Sequence, residues 1–286
     1  MRQAAQEALA AAERAVVIEV TEALGSAPRE GGTRMLVSAT GAIGTVGGGH
    51  LELKAIATAR SMLAAGDLAQ RSEHFPLGPA LGQCCGGAVT LAYCALSADA
   101  LQRWPEPAPL FQLQLYGAGH VGRAIATLLT TLDVSVDWID EREDEFPALT
   151  TLGLPWPPHI RKVCVDAVEA EVRQAPIGAF YLVLTHRHDL DMRITEAILH
   201  RGDFGFLGLI GSKSKRQRFV HRFEQRGFAP GLIARMTCPI GVAGIGGKEP
   251  EVLAVAAVAQ LLQATLLAPQ ARASLRSACR SSTRTV

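Results

Sequence analysis

The sequence predicts an α/β protein in two domains: an N-terminal α+β domain, then a Rossmann-type, doubly wound parallel sheet that begins at about Phe111. Three observations predict it. From residue 111 onward, apolar and β-branched strand segments alternate with helix-length segments, the pattern of parallel strands joined by right-handed crossovers. A Gly-x-Gly-x-x-Gly run, Gly117 to Gly122, stands directly between one such strand and one such helix, as the first turn of that fold requires. Ahead of both, Pro105, Pro107 and Pro109 remove backbone donors and favour extended chain, as in a linker. The expected organisation is a domain over residues 1–103, a linker over 104–110, a Rossmann-like domain over 111–268 and a basic tail over 269–286.

A chain of 286 residues with 48% hydrophobic content is long enough for two ordinary cores. In the first domain, the alanine-rich start interleaves Glu7, Glu13, Arg14 and Glu19. It lacks the unbroken apolar core of a signal peptide and reads as an amphipathic helix leading into a strand. Strands are expected near residues 16–21, 34–37 and 88–93, and a helix over 52–65. In the second domain the expected order is strand 111–116, helix 120–132, strand 134–139, a Pro-rich bend at 154–158, a strand near Val163, strand 180–185, helix 190–201 and strand 206–210. The apolar run 252–268 is broken by Gln260 and Gln263, too short for a comfortable membrane span, and reads as a buried helix. The tail carries Arg272, Arg276, Arg280 and Arg284 without an acidic residue; a solvated terminus and a dock for an acidic partner both fit it.

With 28 Lys+Arg against 27 Asp+Glu, no global field points to nucleic acid or to an anionic membrane. Six cysteines without regular spacing fit reduced thiols in the cytoplasm.

Several loops carry candidate chemistry. Gly117 permits the tight turn, Gly119 lets a phosphate approach the backbone and Gly122 lets helix and sheet pack closely, while the helix N-terminus favours an anion. Asp140 ends the next strand, where a carboxylate can accept a ribose hydroxyl. The same turn also persists in proteins that bind no dinucleotide. His186 and His188, in Thr-His-Arg-His-Asp-Leu-Asp, superficially suggest a His-x-His-x-Asp-His metal motif, but Leu190 and Asp191 stand where that motif needs Asp and His. Metal binding, acid/base work and plain loop hydrogen bonding all remain open for the pair.

In the run Gly211 to Arg216, Ser212 can cap a helix, and Lys213, Lys215 and Arg216 can either neutralise a phosphate or form a solvated basic face. A second glycine-rich loop spans residues 239–248. The first domain adds three small-residue loops at 25–29, 44–52 and 82–87. The third holds Cys84 and Cys85 between glycines, open enough to present a soft thiolate donor.

Taken in order, GSAPREGGTRMLV, GTVGGGHLE, GQCCGG, YGAGHVG, LTHRHDLD, GLIGSKSKRQRF and CPIGVAGIGGKEP resemble the xanthine dehydrogenase accessory factor family, XdhC, over about residues 16–262. The resemblance implies a helper without catalysis of its own. Such a helper binds molybdenum cofactor (molybdopterin), protects it while a cysteine desulfurase installs its terminal sulfido ligand, and delivers it to xanthine dehydrogenase. Partners implied are xanthine dehydrogenase, the desulfurase, molybdenum cofactor biosynthesis proteins and a second copy of the chain; nucleic acid and membrane are not.

By position, Cys85 matches the cysteine of the family's Cys-Gly-Gly loop and is the expected contact to molybdenum, with Cys84 beside it. Gly117, Gly119, Gly122 and Asp140 match the glycine fingerprint. His50 stands where many broader relatives carry cysteine, and Glu52 is retained. His50, Ser212 and Lys213 complete the expected cofactor-binding set. NAD is not expected as cofactor. The rival readings are an NAD(P)-dependent oxidoreductase using the Gly117–Gly122 turn, which lacks a clear acid/base pair, and a metal-dependent hydrolase using His186 and His188.

Overall fold

In the computed structural model, residues 1–77, 87–104 and 108–267 are described. The chain divides into two compact units, Met1–Glu106 and Pro107–Val286.

The first unit is built on an antiparallel sheet. Its elements are α1 (Arg2–Ala10), β1 (Ala15–Leu24), β2 (Arg34–Ser38), β3 (Ala42–Gly44), α2 (Gly49–Ala65), β4 (Arg71–Pro76), β5 (Ala88–Ala95) and α3 (Ala98–Gln102). The strand order is β3-β2-β1-β5-β4. β1 is the central strand and is covered on both faces. Val16, Ile18 and Val20 pack towards Leu51, Ala55, Ala59 and Met62 of α2, while Ala15 and Val17 meet Ala5 of α1 and Leu101 of α3. That alternation is what period-2 side-chain geometry demands of a strand buried on two sides.

The second unit contains β6 (Gln112–Tyr116), α4 (His120–Leu129), β7 (Ser135–Asp140), β8 (Ile160–Cys164), β9 (Phe180–Val183), α5 (His188–Arg201), β10 (Phe206–Leu209), α6 (Lys213–Gln225), α7 (Pro230–Ala234), β11 (Met236–Thr237) and α8 (Pro250–Leu267). All its ladders are parallel, in the order β11-β10-β9-β6-β7-β8. The chain therefore winds outward from β6 through β7 and β8, then returns to build β9, β10 and β11 on the other side of β6. This is the doubly wound order of the Rossmann fold, and it places the switch point between β6 and β9.

Two cores sandwich the sheet. Leu113, Leu115, Trp138 and Leu182 face α4 and α8. Tyr116, Ile139, Tyr181 and Val183 face α5 and α6. Gln114, buried in the sheet, is satisfied by donating to Glu171 O (2.7 Å) and accepting from the Tyr116 hydroxyl (2.7 Å), which removes the cost of an unpaired amide there.

Three findings depart from the sequence reading. β3, β4 (RSEHFP), the two-residue β11 and the short helices α3 and α7 are not expected from the sequence; β4 is a charged edge strand with one buried residue, Phe75, so it has almost no apolar alternation to show. The segment Val168–Gln174 forms a 3₁₀ helix, held to the core by Val168 and Val172. α8 is not buried all round: Ala254, Ala257, Val258 and Leu261 pack inward while Val255 and Leu266 are exposed. Gln260, one of the residues that broke the apolar run, exchanges hydrogen bonds with Gly241 N (2.8 Å) and Gly241 O (3.2 Å) and so ties the second glycine-rich loop to α8. Among the described residues no helix is long and apolar enough to cross a membrane. Residues 78–86, with Cys84 and Cys85, and the basic tail lie outside the described residues.

Candidate functional site

Parallel strands that end together bring the loops after them to one edge of the sheet, the edge where open α/β sheets take ligands. In the second unit, the glycine turn follows β6, Asp140–Arg142 follows β7, Leu184–Arg187 follows β9, Ile210–Ser212 follows β10 and the loop from Cys238 follows β11.

The glycine turn is fixed from β7. Gly117 N donates to Ile139 O (2.8 Å), the Trp138 indole donates to Gly117 O (3.0 Å) and Ala118 N donates to Asp140 Oδ2 (2.7 Å). The three glycines then divide their work. Gly117 has φ +117°, and a Cβ there would sit 2.4 Å from Leu184 O, so glycine is needed both for the turn and for close approach to the β9 loop. A Cβ on Gly122 would sit 2.0 Å from Gly117 O, so this glycine lets α4 close on its own turn. Gly119, by contrast, has an ordinary extended conformation (φ −69°, ψ −173°), and a Cβ there would meet no atom within 4 Å. Neither backbone conformation nor internal packing requires glycine at 119; the space beside it is open. Gly119 is the N-cap of α4 and no side chain caps that helix, so its first-turn amides are offered to an anion.

Asp140 does not play the part read for it from sequence. Its carboxylate is buried; besides Ala118 N, it accepts from Arg142 N (3.0 Å), Arg142 Nε (2.9 Å) and Arg142 Nη2 (2.9 Å). Four donors on two oxygens fill the acceptor capacity of a carboxylate, leaving no lone pair for a ribose hydroxyl. Burial pushes the Asp140 carboxyl up, but the Arg142 guanidinium and the two backbone amides outweigh burial and hold it below the usual carboxylate range. Asp140 shapes the turn.

Across the switch point a second buried charge organises the other loops. Asp191, wholly buried in α5, accepts from Thr185 N (3.0 Å) and the Thr185 hydroxyl (2.7 Å) and pairs with Lys215 of α6 at 2.5 Å. Lys215 also donates to Ile210 O (2.7 Å). One ion pair thus joins the ends of β9 and β10 to the two helices that follow them. This corrects both readings of Lys215, as a phosphate ligand and as part of a solvated basic face: at 6% exposure its ammonium is committed inside the protein. Ser212 caps α6, accepting from Lys215 N (3.2 Å), and Lys213 is exposed beside it. The Cys238 thiol lies 3.8 Å from Ser212 O, and burial pushes it up despite the opposing charge of Lys215.

His186 and His188 are not brought together on one target. His186 Nε2 lies 3.7 Å from Glu141 Oε1, whereas His188 opens α5 with Nδ1 3.0 Å from Arg218 Nη2. Because guanidinium can only donate, that ring nitrogen is the acceptor. Among the described residues no three His, Cys, Asp or Glu side chains gather as a metal-holding group.

In the first unit, the loop ahead of α2 is held by Glu52, whose Oε2 accepts from Val46 N (3.2 Å), Gly48 N (3.0 Å) and the Thr45 hydroxyl. Glu52 is therefore spent on loop architecture, while His50 is exposed at the start of α2.

A parallel sheet in doubly wound order, with a glycine turn and an uncapped helix at its switch point, defines a Rossmann-type domain. Residues 113–261 match the XdhC Rossmann domain and residues 8–72 match the XdhC and CoxI family; the chain belongs to the XdhC family. The Cys84–Cys85 loop falls between the two matched segments. The chain is 30% identical over 257 residues to the uncharacterized protein YqeB of Escherichia coli K12, covering 88% of this chain and 43% of that protein. It thus spans less than half the length of that relative. A crystal structure described as a xanthine dehydrogenase from Bacillus halodurans superposes with a TM-score of 0.74 at 18% identity, covering 94% of this chain and 97% of that one, a likeness of fold.

Proposed function

We propose that this chain is an accessory factor that binds molybdenum cofactor, shields it while its terminal sulfido ligand is installed, and hands it to xanthine dehydrogenase, without turning over a substrate of its own. The observation that carries the reading is the open, uncapped turn at Gly119 beside an Asp140 already saturated by protein donors. Such a turn receives a phosphate, and a spent carboxylate withholds the ribose contact of a dinucleotide. The amides at the start of α4 are assigned to the phosphate end of the cofactor, with Ser212 and Lys213 of the same unit as further polar contacts; His50 is assigned to the cofactor on the family resemblance alone. Cys85, with Cys84 as neighbour, is assigned to the molybdenum on chemical grounds: a thiolate is the protein donor best matched to a metal already held by sulfur. Bound, the cofactor would supply the redox chemistry of the recipient enzyme; this chain supplies binding and protection. The partners are xanthine dehydrogenase, a cysteine desulfurase, cofactor biosynthesis proteins and a second copy of the chain.

An NAD(P)-dependent oxidoreductase remains the second reading, favoured by the intact Gly117–Gly122 fingerprint alone. The test is cofactor retention by Cys85→Ala and Cys84→Ala variants measured beside their thermal stability. Cys85→Ala is expected to lose most retention with its melting temperature unchanged, and Cys84→Ala to lose less. Equal retention in wild type and Cys85→Ala would overturn the assignment.

A further inference from the structure

A feature of the second unit that the cofactor reading does not use is the groove between α5 and α6, a depression of about 600 Å³. Its floor is apolar, from Met192 and Phe219, and its walls are charged. α6 places Arg218 and Arg222 about one helical turn apart, with Arg226 about one turn further on at the end of the helix, so the guanidinium stems recur about every 6 Å along the groove.

The two acidic side chains that line it are already matched. Glu196 pairs with Arg226, and Asp189 pairs with Arg187 at 2.5 Å. On the α5 wall, Arg193 is satisfied from outside the groove by Glu169 at 3.4 Å. Two cations are left over: among the described residues no acidic group pairs with Arg218, which meets a ring nitrogen of His188 at 3.0 Å, or with Arg222. Both are exposed.

We infer that this groove docks an acidic, amphipathic segment of a partner protein. Such a segment would carry carboxylates about one helical turn apart, for Arg218 and Arg222, and an apolar side chain between them for the Met192–Phe219 floor. Three points select this occupant. The free cations form a row on one helix wall, whereas a lone phosphate is held by donors that converge. The amides of α6 between Arg218 and Arg222 are consumed within the helix, so none of them is left beside the two guanidinium groups as a donor to an anion. The tail of this chain is itself basic, with four arginines and no acidic residue after Pro269, so it cannot complement the groove. The inference stands on the charge pattern and does not depend on what the glycine turn binds.

The experiment is fluorescence anisotropy of the full chain with a labelled synthetic helical peptide bearing glutamates at every fourth position and leucines between them. The comparison proteins are Arg218→Glu/Arg222→Glu and a control of equal charge change on the first unit, Lys54→Glu/Arg60→Glu. Wild type and control should bind the peptide alike, with affinity falling as salt rises, and the groove variant should bind at least about tenfold more weakly, in line with measured costs of losing desolvated charge pairs. Circular dichroism establishes that each variant is folded, and Arg218→Gln/Arg222→Gln repeats the comparison without reversed charge. Equal weakening by groove and control variants would reduce the effect to diffuse electrostatics and overturn the inference. So would tighter binding, at the same two arginines, of inorganic phosphate or of an oligonucleotide of matching charge.

Discussion

Replacing Gly119 and Gly122 by alanine in separate variants splits the ligand role of the glycine turn from its packing role. At Gly119 the backbone is already in a region any residue adopts, and an added methyl meets nothing within 4 Å. The unfolded chain loses freedom, worth about 0.4–1 kcal/mol in favour of the variant, while alanine is a poorer N-cap than glycine by a comparable amount. Net stability should move by less than about 0.5 kcal/mol. An anion hydrogen-bonded to the turn amides must occupy the space that the methyl takes, and losing one charge-assisted bond costs about 1.5–3 kcal/mol, or roughly 10- to 100-fold in affinity. At Gly122 the added methyl would lie 2.0 Å from a backbone oxygen of the same turn and 3.3 Å from Leu184 Cδ1. Helix and turn must separate, costing about 1–3 kcal/mol as overpacking does, or roughly 2–4 °C of melting temperature per kcal/mol. The assay is thermal unfolding beside titration with isolated molybdenum cofactor. A Gly119→Ala variant that binds as wild type does, or that melts as early as Gly122→Ala, would show that position 119 is not kept open for a ligand.

Two further outcomes follow from the buried charges. Asp191→Ala leaves the Lys215 ammonium buried with a single carbonyl partner and should cost about 3–5 kcal/mol in urea unfolding, whereas Asp191→Leu/Lys215→Met should recover most of it; a single-variant cost below about 1 kcal/mol would show that the pair does not hold the loops. The lowered pKa of Asp140 means that its contribution to stability is complete above the ordinary aspartate value near 4 and is lost as pH falls through the depressed folded value. The melting-temperature gap between wild type and Asp140→Asn should therefore be widest near neutrality and shrink in acid; a gap independent of pH would exclude an ionised Asp140.

The glycine turn was legible because its signals are local: a strand, three glycines at fixed spacing and an apolar-faced helix in one run of residues. The position of Asp140 was legible for the same reason, but its partners were not, since its saturation comes from Arg142 folding back and from Ala118 N across the turn. The Asp191–Lys215 pair joins residues 24 apart, and no spacing rule links them. One signal did exist: Lys215, Phe219 and Phe223 share a stripe at i, i+4 and i+8, and all three are buried, so Lys215 belonged to the packed face of α6 and not to its basic face. The groove needed both walls. The sequence displays the arginines of α6, but only the fold brings the α5 side chains beside them and shows which cations are already paired.

The open turn and the Cys84–Cys85 loop are proposed to serve molybdenum cofactor. The most direct measurement is an equilibrium titration of the purified chain with isolated molybdenum cofactor, run beside NAD and NADP under the same reducing conditions. Saturable binding of the cofactor is expected, weakened by Gly119→Ala, with no comparable binding of either dinucleotide. Saturable binding of NAD or NADP with none of the cofactor would contradict this assignment.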